Sequence, residues 1–225
     1  MRALDEALAA HGLSPRGGFC FGEGEAAPAG PSGEPARSVL LVGHGGGSIW
    51  PYFTAWREAR AETPDDPLDR WSREAIGGIA DRFSARAVFP FEKPWLPFQQ
   101  WAMRAEGLKP SPLGILMHPR FGLWHAYRGA LLFDVEISIQ EPAAPIHLCD
   151  LCVGKDCVNV CPAGAVTAAD FDAAACAGWL LSGRGAPCRT GGCLARTACP
   201  HDAYRYGDAQ AAFHMAARMR GLDAG

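Results

Sequence analysis

The sequence predicts an α+β protein in which a domain of mixed helices and strands precedes a small cysteine-rich module. Short apolar runs of strand type alternate with amphipathic helical segments as far as residue 139. Only one cysteine lies before Cys149, and the other eight fall between Cys149 and Cys199. We therefore expect a first domain over residues 1–145 and a second over residues 146–225, with a linker at 140–145.

Each element is predicted from its own local pattern. Helical patterns, such as Leu68, Trp71, Ala75, Ile79 and Phe83 at helical spacing, predict helices at 1–13, from Ser48 or Pro51, from Pro67, at 96–107 and at 208–222. Apolar runs next to glycines or prolines predict strands at 17–23, 38–44, 85–91, 113–118 and 129–139.

Composition and charge limit the partners that the chain could have. The 225 residues carry 24 acidic and 21 basic side chains, a formal charge of −3, which argues against a general nucleic-acid or anionic-membrane surface. No run approaches the roughly 18 apolar residues of a membrane span. Asp5 and Glu6 interrupt the first segment, which is typical of a short helix and not of a signal peptide. We expect a cytoplasmic protein, where clustered thiols more often bind metal than form disulfides.

The first cysteine group has the spacing of an iron–sulfur motif. It is written Cys149-x2-Cys152-x4-Cys157-x3-Cys161, followed by proline. Bacterial two-cluster ferredoxins use C-x2-C-x2-C-x3-C-P, in which three thiolates bind one [4Fe–4S] cluster and the fourth binds the other. The x4 gap adds two residues to the loop, and we expect Gly154 to accommodate them.

A second, less regular group completes the number of ligands that two clusters need. Applied to both groups, the interleaved ferredoxin rule gives one cluster Cys149, Cys152, Cys157 and Cys199, and gives the other Cys161, Cys176, Cys188 and Cys193. The alternatives are one cluster with spare thiols, structural zinc, and disulfides. Zinc sites favour paired C-x2-C knuckles, and disulfide frameworks favour small secreted chains. The remaining Cys20 lies between two phenylalanines and is predicted to be a buried apolar residue.

Two segments of the first domain could face a ligand. "HGGG" at 44–47 occurs in esterase oxyanion holes, but the chain has no G-x-S-x-G, and Ser48 stands where a dinucleotide fingerprint needs glycine. A plain turn after a strand is the simpler interpretation.

The second segment is a predicted loop between strands, rich in imidazole, guanidinium and indole groups. It carries His118, Arg120, Trp124, His125 and Arg128. Such a loop is typical of a ligand site. The alternative is that Trp124 belongs to the core and the histidines to the surface.

This segment resembles a known family. "HPRFGLWHAYRGALLF" at 118–133 is similar to the HP-x-FG-x-W-x-A-x-RG stretch of the cytosolic cobalamin-processing proteins of the methylmalonic aciduria C type. The order of the two domains resembles that of epoxyqueuosine reductases and corrinoid reductive dehalogenases. The resemblance implies a flavin-reductase (nitroreductase)-like α/β sandwich followed by a two-[4Fe–4S] ferredoxin-like module.

The same resemblance implies which residues and molecules take part. Cobalamin, or flavin as the second choice, would be bound on the first domain by His118, Arg120, Gly122, Trp124 and Arg128. In epoxyqueuosine reductases an acidic proton donor follows the strand that corresponds to 85–91, in an Asp-x-Ala-Pro context. Here the chain reads "FPFEKPWLPF", so that only Glu92, out of register, could replace it.

Three functional hypotheses follow. The first is an iron–sulfur oxidoreductase that passes single electrons from two [4Fe–4S] clusters to a corrinoid or similar cofactor on the first domain. Its expected partners are a corrinoid or small-molecule substrate and a reducing protein such as a ferredoxin or flavodoxin. The second is a ferredoxin-type electron carrier whose first domain docks a partner enzyme through Trp50, Tyr52, Phe53 and Trp56, residues that could equally form a helix core. The third is a tRNA-modifying reductase; for it, the helical-repeat region expected to bind tRNA has no counterpart in this sequence.

Overall fold

The computed structural model describes residues 1–139 and 145–223, and within these it separates two compact units. The first unit comprises Met1–Leu108 and His125–Pro145, and the second comprises Lys109–Trp124 and Ile146–Gly225. The second unit therefore includes 109–124 as well as the cysteine-rich segment. Of the predicted linker at 140–145, only Pro145 lies within the described residues.

The described helices and strands follow one another in a mixed order. The helices are α1 Arg2–Ala9, α2 Trp50–Glu58, α3 Pro67–Arg82, α4 Phe98–Glu106, α5 Leu148–Leu151, α6 Asp156–Asn159, α7 Ala173–Leu181, α8 Ala186–Gly191, α9 Leu194–Thr197 and α10 Asp208–Asp223, with a 3-10 turn at Gly183–Gly185. The strands are β1 Ser14–Cys20, β2 Ser38–Gly45, β3 Arg86–Val88, β4 Lys109–Pro110, β5 Leu116–Met117 and β6 His125–Phe133.

The first unit is built on a small antiparallel sheet with the strand order β1-β2-β6-β3. In the central pair Ser38 lies opposite Phe133 and Leu41 lies opposite Ala130. Every residue of β2 except Gly45 is buried, because both of its neighbours are strands and its side chains are apolar over most of its length. The strand predicted at 38–44 is thereby confirmed, and the fold is α+β as expected.

Helices α2 and α3 form an aromatic core on one side of this unit. Phe53 of α2 is fully buried, and its ring lies 5.5 Å from that of Trp50 and 6.2 Å from that of Trp71. Trp56 Nε1 donates a hydrogen bond to Glu74 of α3 at 2.7 Å. Among the four aromatic residues considered for docking, only Tyr52 is an exposed large side chain. Core packing therefore accounts for Phe53 and its ring neighbours.

The last strand of the sheet begins earlier and ends earlier than expected. We predicted a strand at 129–139 after a loop, whereas β6 runs from His125 to Phe133. β2 extends to Gly45 and pairs there with His125, which draws the end of the predicted loop into the sheet. A Cβ atom on Gly43 would lie 2.3 Å from the Ala126 carbonyl oxygen, so this approach needs glycine. The strand predicted at 113–118 was too long and is reduced to β5.

The second unit consists of short helices around a small core. The core includes Leu113, Met117, Leu123, Val166, Ala195 and Cys199, with the partly buried Cys149, Cys157, Cys161 and Cys193 packed against it. Both halves of the cysteine-rich segment therefore contribute thiols to one core. None of the described helices combines the length and the apolar character that crossing a membrane would require.

Candidate functional site

Four cysteines that are distant in sequence line one cavity of the second unit. Cys149, Cys152, Cys157 and Cys199 line it together with apolar residues that include Leu113 and Met117. The first three come from the segment of α5 and α6, and Cys199 comes from the residues that follow α9. This is the group of four that the interleaved ferredoxin rule selects.

The turn of this first group takes a different form from the one expected. Gly154 does not have a positive φ; the left-handed conformation falls on Lys155, with φ 47°. A non-glycine residue in that conformation costs about 1–2 kcal/mol. The Lys155 ammonium donates a hydrogen bond to the carbonyl oxygen of Cys149, which closes the loop over the cavity. The two additional residues are thus accommodated at Lys155, which also brings a positive charge to the thiols.

Burial and neighbouring thiols raise the pKa values of Cys149, Cys157 and Cys199 in the first group. Burial raises the pKa of Cys149 to about 11, and Cys199, Cys157 and Cys152 add to the increase while Lys155 opposes it. Burial also raises the pKa of Cys199, with further contributions from Cys157 and Cys152. Such mutual effects require short distances, so the four sulfurs lie together in one environment.

The other four cysteines form a second group with the same property. Burial raises the pKa of Cys176, and the neighbouring thiols Cys193, Cys161 and Cys188 raise it further. Burial likewise raises the pKa of Cys193, to which Cys188 and Cys161 contribute. Helix α7 fixes Cys176, because Asp172 caps it by accepting a hydrogen bond from the Ala175 amide at 2.9 Å. The membership again matches the interleaved assignment.

The two groups of four thiols suit a single metal ion and a [4Fe–4S] cluster to different degrees. A group of four neighbouring thiolates needs positive charge beside it, and a metal group supplies that charge when it binds them. Among the residues that the structure describes, no three His, Cys, Asp or Glu side chains are placed to hold one metal ion. A [4Fe–4S] cluster binds its four thiolates through four different irons, so it fits sulfurs that share a cavity without converging on one point.

The residues 118–122 of the predicted ligand loop form a tight hairpin in the second unit. The amides and carbonyls of His118 and Gly122 exchange hydrogen bonds of 3.0 and 2.9 Å. His118 Nδ1 accepts hydrogen bonds from the amides of Arg120 and Phe121. Gly122 has φ +59°, and a Cβ atom there would lie 2.4 Å from the carbonyl oxygen of His201. His118 and Gly122 thus have clear structural roles.

Arg120 and Trp124 also contact residues that follow the last cysteine. Arg120 Nε donates to the Tyr204 hydroxyl at 2.8 Å. Trp124 is 3% exposed, and its ring meets that of Tyr206 edge-on at 5.4 Å. Four of the predicted cofactor residues are therefore found in the second unit, where their described contacts are made.

The two remaining candidates lie in the first unit, and each pairs with α3. Arg128 donates to Asp69 Oδ1 at 2.6 Å and to Ser72 Oγ at 2.9 Å. Glu92 accepts from Arg73 Nε at 3.0 Å near the surface. The structure thus places Arg128 and Glu92 in ion pairs.

Sequence reasoning missed a buried polar network in the first unit. Arg16 of β1 is 2% exposed and contacts both oxygens of Glu106, at 3.0 and 3.1 Å, and His125 Nδ1 at 3.2 Å. Tyr127 donates a hydrogen bond to Glu106. Burial raises the pKa of Tyr127 well above its usual range; Arg16 opposes this rise and Glu106 adds to it. The strand predicted at 17–23 did not include Arg16, so no local pattern indicated that this arginine is buried.

Two smaller predictions have clear outcomes. In the glycine-rich segment 44–47, His44 and Gly45 end β2 and a turn from Gly46 leads into α2, as the simpler interpretation held. His44 contacts the Gly46 carbonyl at 3.0 Å. Cys20 is half-buried and not fully buried, and its Sγ lies 3.9 Å from the carbonyl oxygen of Ile137. The expectation of full burial was wrong because Cys20 is the last residue of β1.

Comparison with known proteins provides likenesses of fold. No protein-family model and no curated protein matches this chain. The B12-trafficking protein CblC of C. elegans, a human MMACHC homologue, aligns over 98% of this chain and 93% of its own, with 16% identity and a TM-score of 0.55. Epoxyqueuosine reductases from Streptococcus thermophilus and Bacillus subtilis align over 74% and 75% of this chain, with 12% and 15% identity and a TM-score of 0.48 each. This chain spans about half the length of those reductases. The chain therefore has a fold similar to that of CblC, which is consistent with the expected flavin-reductase-like first domain.

Proposed function

We propose that this chain is an iron–sulfur oxidoreductase that passes single electrons from two [4Fe–4S] clusters to a corrinoid, or a similar cofactor, bound within residues 1–145. The observation that carries the proposal is the crosswise grouping of eight cysteines into two sets of four. This grouping needs ligands from both halves of the segment in each set, as a two-cluster ferredoxin does. Neither structural zinc knuckles nor disulfides require that each set of four contain cysteines from both halves of the segment.

The residues around the first set would give a cluster a largely dry and partly positive environment. Leu113, Met117 and Leu123 line the cavity and limit the access of water. Lys155 lies among the same lining residues and compensates part of the negative charge of the thiolates. A bound cluster supplies one-electron chemistry at a potential that such charges, hydrogen bonds and solvent exposure set.

The corrinoid part of the proposal has a separate basis. It is supported by the stretch at 118–133, which resembles the cobalamin-processing family, and by the likeness of fold to CblC, a B12-trafficking protein. His118, Arg120, Gly122, Trp124 and Arg128 remain the proposed binding residues, and Glu92 the proposed acid. Flavin is the alternative occupant, because related sandwich folds bind flavins.

Anaerobic purification followed by metal analysis tests the clusters. The proposal predicts a brown protein with about eight irons and about eight sulfides per chain. Far fewer irons in a colourless, oxygen-free preparation would overturn it. Cobalt and flavin are measured in the same sample, so the occupant of the first domain is identified independently of the iron count.

A spectroscopic titration tests the corrinoid. Cobalamin added to the anaerobic protein should change its own absorption spectrum on binding, and reduction of the protein should then reduce the cobalt. An unchanged spectrum at saturating cobalamin would exclude corrinoid binding, while the iron analysis would still stand.

A second candidate function is an electron carrier that serves a partner enzyme. It is favoured by two apolar side chains beside the first thiol group, since Leu151 is 67% and Val153 is 97% exposed. Small apolar patches of this kind suit the weak, transient contacts of redox partners. Photoreduced protein that transfers electrons to a co-purified enzyme, and never to added corrinoid, would establish this function instead.

A further inference from the structure

The second unit contains an open cavity that the proposed clusters do not account for. Its volume is about 180 Å³, and it lies between the α8–α9 segment and the start of α10. The polar residues at its wall include Trp124, Arg196, Thr197, Arg205, Asp208 and His214. Cys193 is the one proposed cluster ligand in this wall, within the part of the chain that the structure describes.

Two buried hydrogen-bond donors in this wall have no acceptor among the described residues. They are Trp124 Nε1 and Arg196 Nε. Buried N–H groups in folded proteins are almost always paired with an acceptor, because an unpaired donor loses its water without replacement. Neither group can itself accept a hydrogen bond, so whatever completes this site must present acceptors.

Arg196 is held in place by its other contacts. Its Nη2 donates to the carbonyl oxygen of Leu123 at 2.5 Å. Its guanidinium lies 4.5 Å from the Trp124 ring centroid and 4.8 Å from the Tyr206 ring centroid. The guanidinium thus lies against both rings of this edge-on pair, and together with the hydrogen bond to Leu123 these contacts restrict its orientation before any ligand arrives. A donor that is already ordered loses little entropy on binding.

The charge of the wall favours an anion. Arg196 and Arg205 bring two positive charges, and Asp208 brings one negative charge. The Arg205 side chain makes no ion pair or side-chain hydrogen bond to the residues described. Guanidinium groups match phosphate and carboxylate oxygens in geometry as well as in charge.

We propose that this cavity binds a small oxyanion, a phosphate or carboxylate group, which accepts hydrogen bonds from Trp124 Nε1 and Arg196 Nε and is attracted by Arg205. This site shares Trp124 with the proposed corrinoid-binding residues, but anion binding itself requires neither a bound corrinoid nor electron transfer. The anion could be free in solution or be part of a small metabolite; both present the same acceptor oxygens, and the size of the cavity leaves room for more than the anion alone.

Calorimetric titration of the anaerobically purified protein tests the site. Inorganic phosphate and acetate are titrated separately, which distinguishes the two types of oxyanion. The iron content of each sample is measured alongside, so a failure of cluster assembly is recognised separately from a failure of anion binding. We expect saturable binding of one of the two anions in the wild-type protein, at concentrations up to roughly 10 mM.

Matched tryptophan variants provide the decisive comparison. Trp124→Phe removes the indole N–H from the cavity wall and should weaken binding roughly five- to tenfold, the effect of one lost hydrogen bond. Trp179→Phe is the control, because Trp179 Nε1 is also buried without a partner but does not line the cavity. It should bind the anion like the wild type.

Arg205→Gln gives a second test at an exposed position whose substitution does not disturb the core, and it should also weaken binding. Absence of binding by both anions, or equal affinities in the wild type, Trp124→Phe and Arg205→Gln, would overturn the proposal.

Discussion

Gly122 lies directly against His201, so that a Cβ atom at position 122 would sit 2.4 Å from the His201 carbonyl oxygen. His201 follows the Cys199-Pro200 pair closely, and the contact therefore joins the 118–122 hairpin to the end of the cysteine-rich segment. Real Cβ atoms do not approach a backbone oxygen so closely, which means that the second unit requires glycine here.

The first prediction is that Gly122→Ala destabilises the protein more than a comparable glycine substitution does. Alanine at φ +59° costs about 1–2 kcal/mol in backbone energy, and the steric conflict adds about 1–3 kcal/mol. Gly114→Ala is the control, since Gly114 has φ +73° but no atom within 4 Å of the added methyl group. Urea unfolding of both variants measures the difference, and equal losses of unfolding free energy would show that the contact with His201 is not formed.

The second prediction concerns the buried ion pair of the first unit. Glu106→Ala leaves the Arg16 guanidinium, 2% exposed, without its carboxylate, and removing one partner of a buried pair typically costs about 3–5 kcal/mol. Glu136→Ala removes a surface pair with Arg37 in the same unit, whose side chains are 61% and 59% exposed, and should cost less than about 1 kcal/mol. Both losses are measured by urea unfolding, and a loss below about 1 kcal/mol for Glu106→Ala would contradict the buried pair.

The sequence was sufficient for features that depend on local pattern. The apolar run of β2 and the helical spacing of Leu68, Trp71 and Ala75 predicted their elements close to the observed bounds. The cysteine spacing also predicts which thiols share a cluster, because the interleaved rule is a property of a short motif, and this assignment stays a prediction. Local pattern thus predicted the α+β class.

Features that depend on distant partners could not be predicted in this way. Arg16 is buried because α4 brings Glu106, which is 90 residues away in the sequence, to β1. β6 begins at His125 because β2 continues to Gly45 and pairs with it. The left-handed residue of the first cysteine loop is Lys155, and composition alone favoured Gly154. In each case the tertiary partner decided the outcome.

The third prediction is a pH dependence of thiol reactivity in protein from which metal has been removed. Burial raises the pKa of Cys149 from 9.0 to about 11, so its thiol stays protonated where an ordinary cysteine ionises. Because only the thiolate reacts, alkylation of Cys149 at pH 9 should be roughly 50-fold slower than that of a solvated cysteine. Its rate should rise as the pH approaches 11.

The free energy of unfolding should fall over the same pH range in which the Cys149 thiol ionises. The unfolded chain releases the Cys149 proton near pH 9, before the folded chain does, so the free energy of unfolding falls between pH 9 and about 11. Iodoacetamide labelling followed by peptide mass analysis gives the rate profile. A midpoint near 9 would show that Cys149 is fully solvated once the metal is gone, which the packed arrangement of the second unit does not allow.

The fourth prediction separates the interleaved pairing of cysteines from a sequential one. If Cys149 and Cys199 bind the same cluster, the double variant Cys149→Ser/Cys199→Ser loses only that cluster and keeps about four irons per chain. Cys149→Ser/Cys161→Ser then removes a ligand from each cluster and should leave almost no iron. A sequential arrangement, with Cys149 and Cys161 on one cluster and Cys199 on the other, reverses the two results. Cys20→Ser is the control and should keep all of the iron, because Cys20 lies in β1 of the first unit. Iron analysis of the anaerobic proteins therefore distinguishes the two pairings by which of the two double variants retains more iron, whatever the absolute yield of cluster.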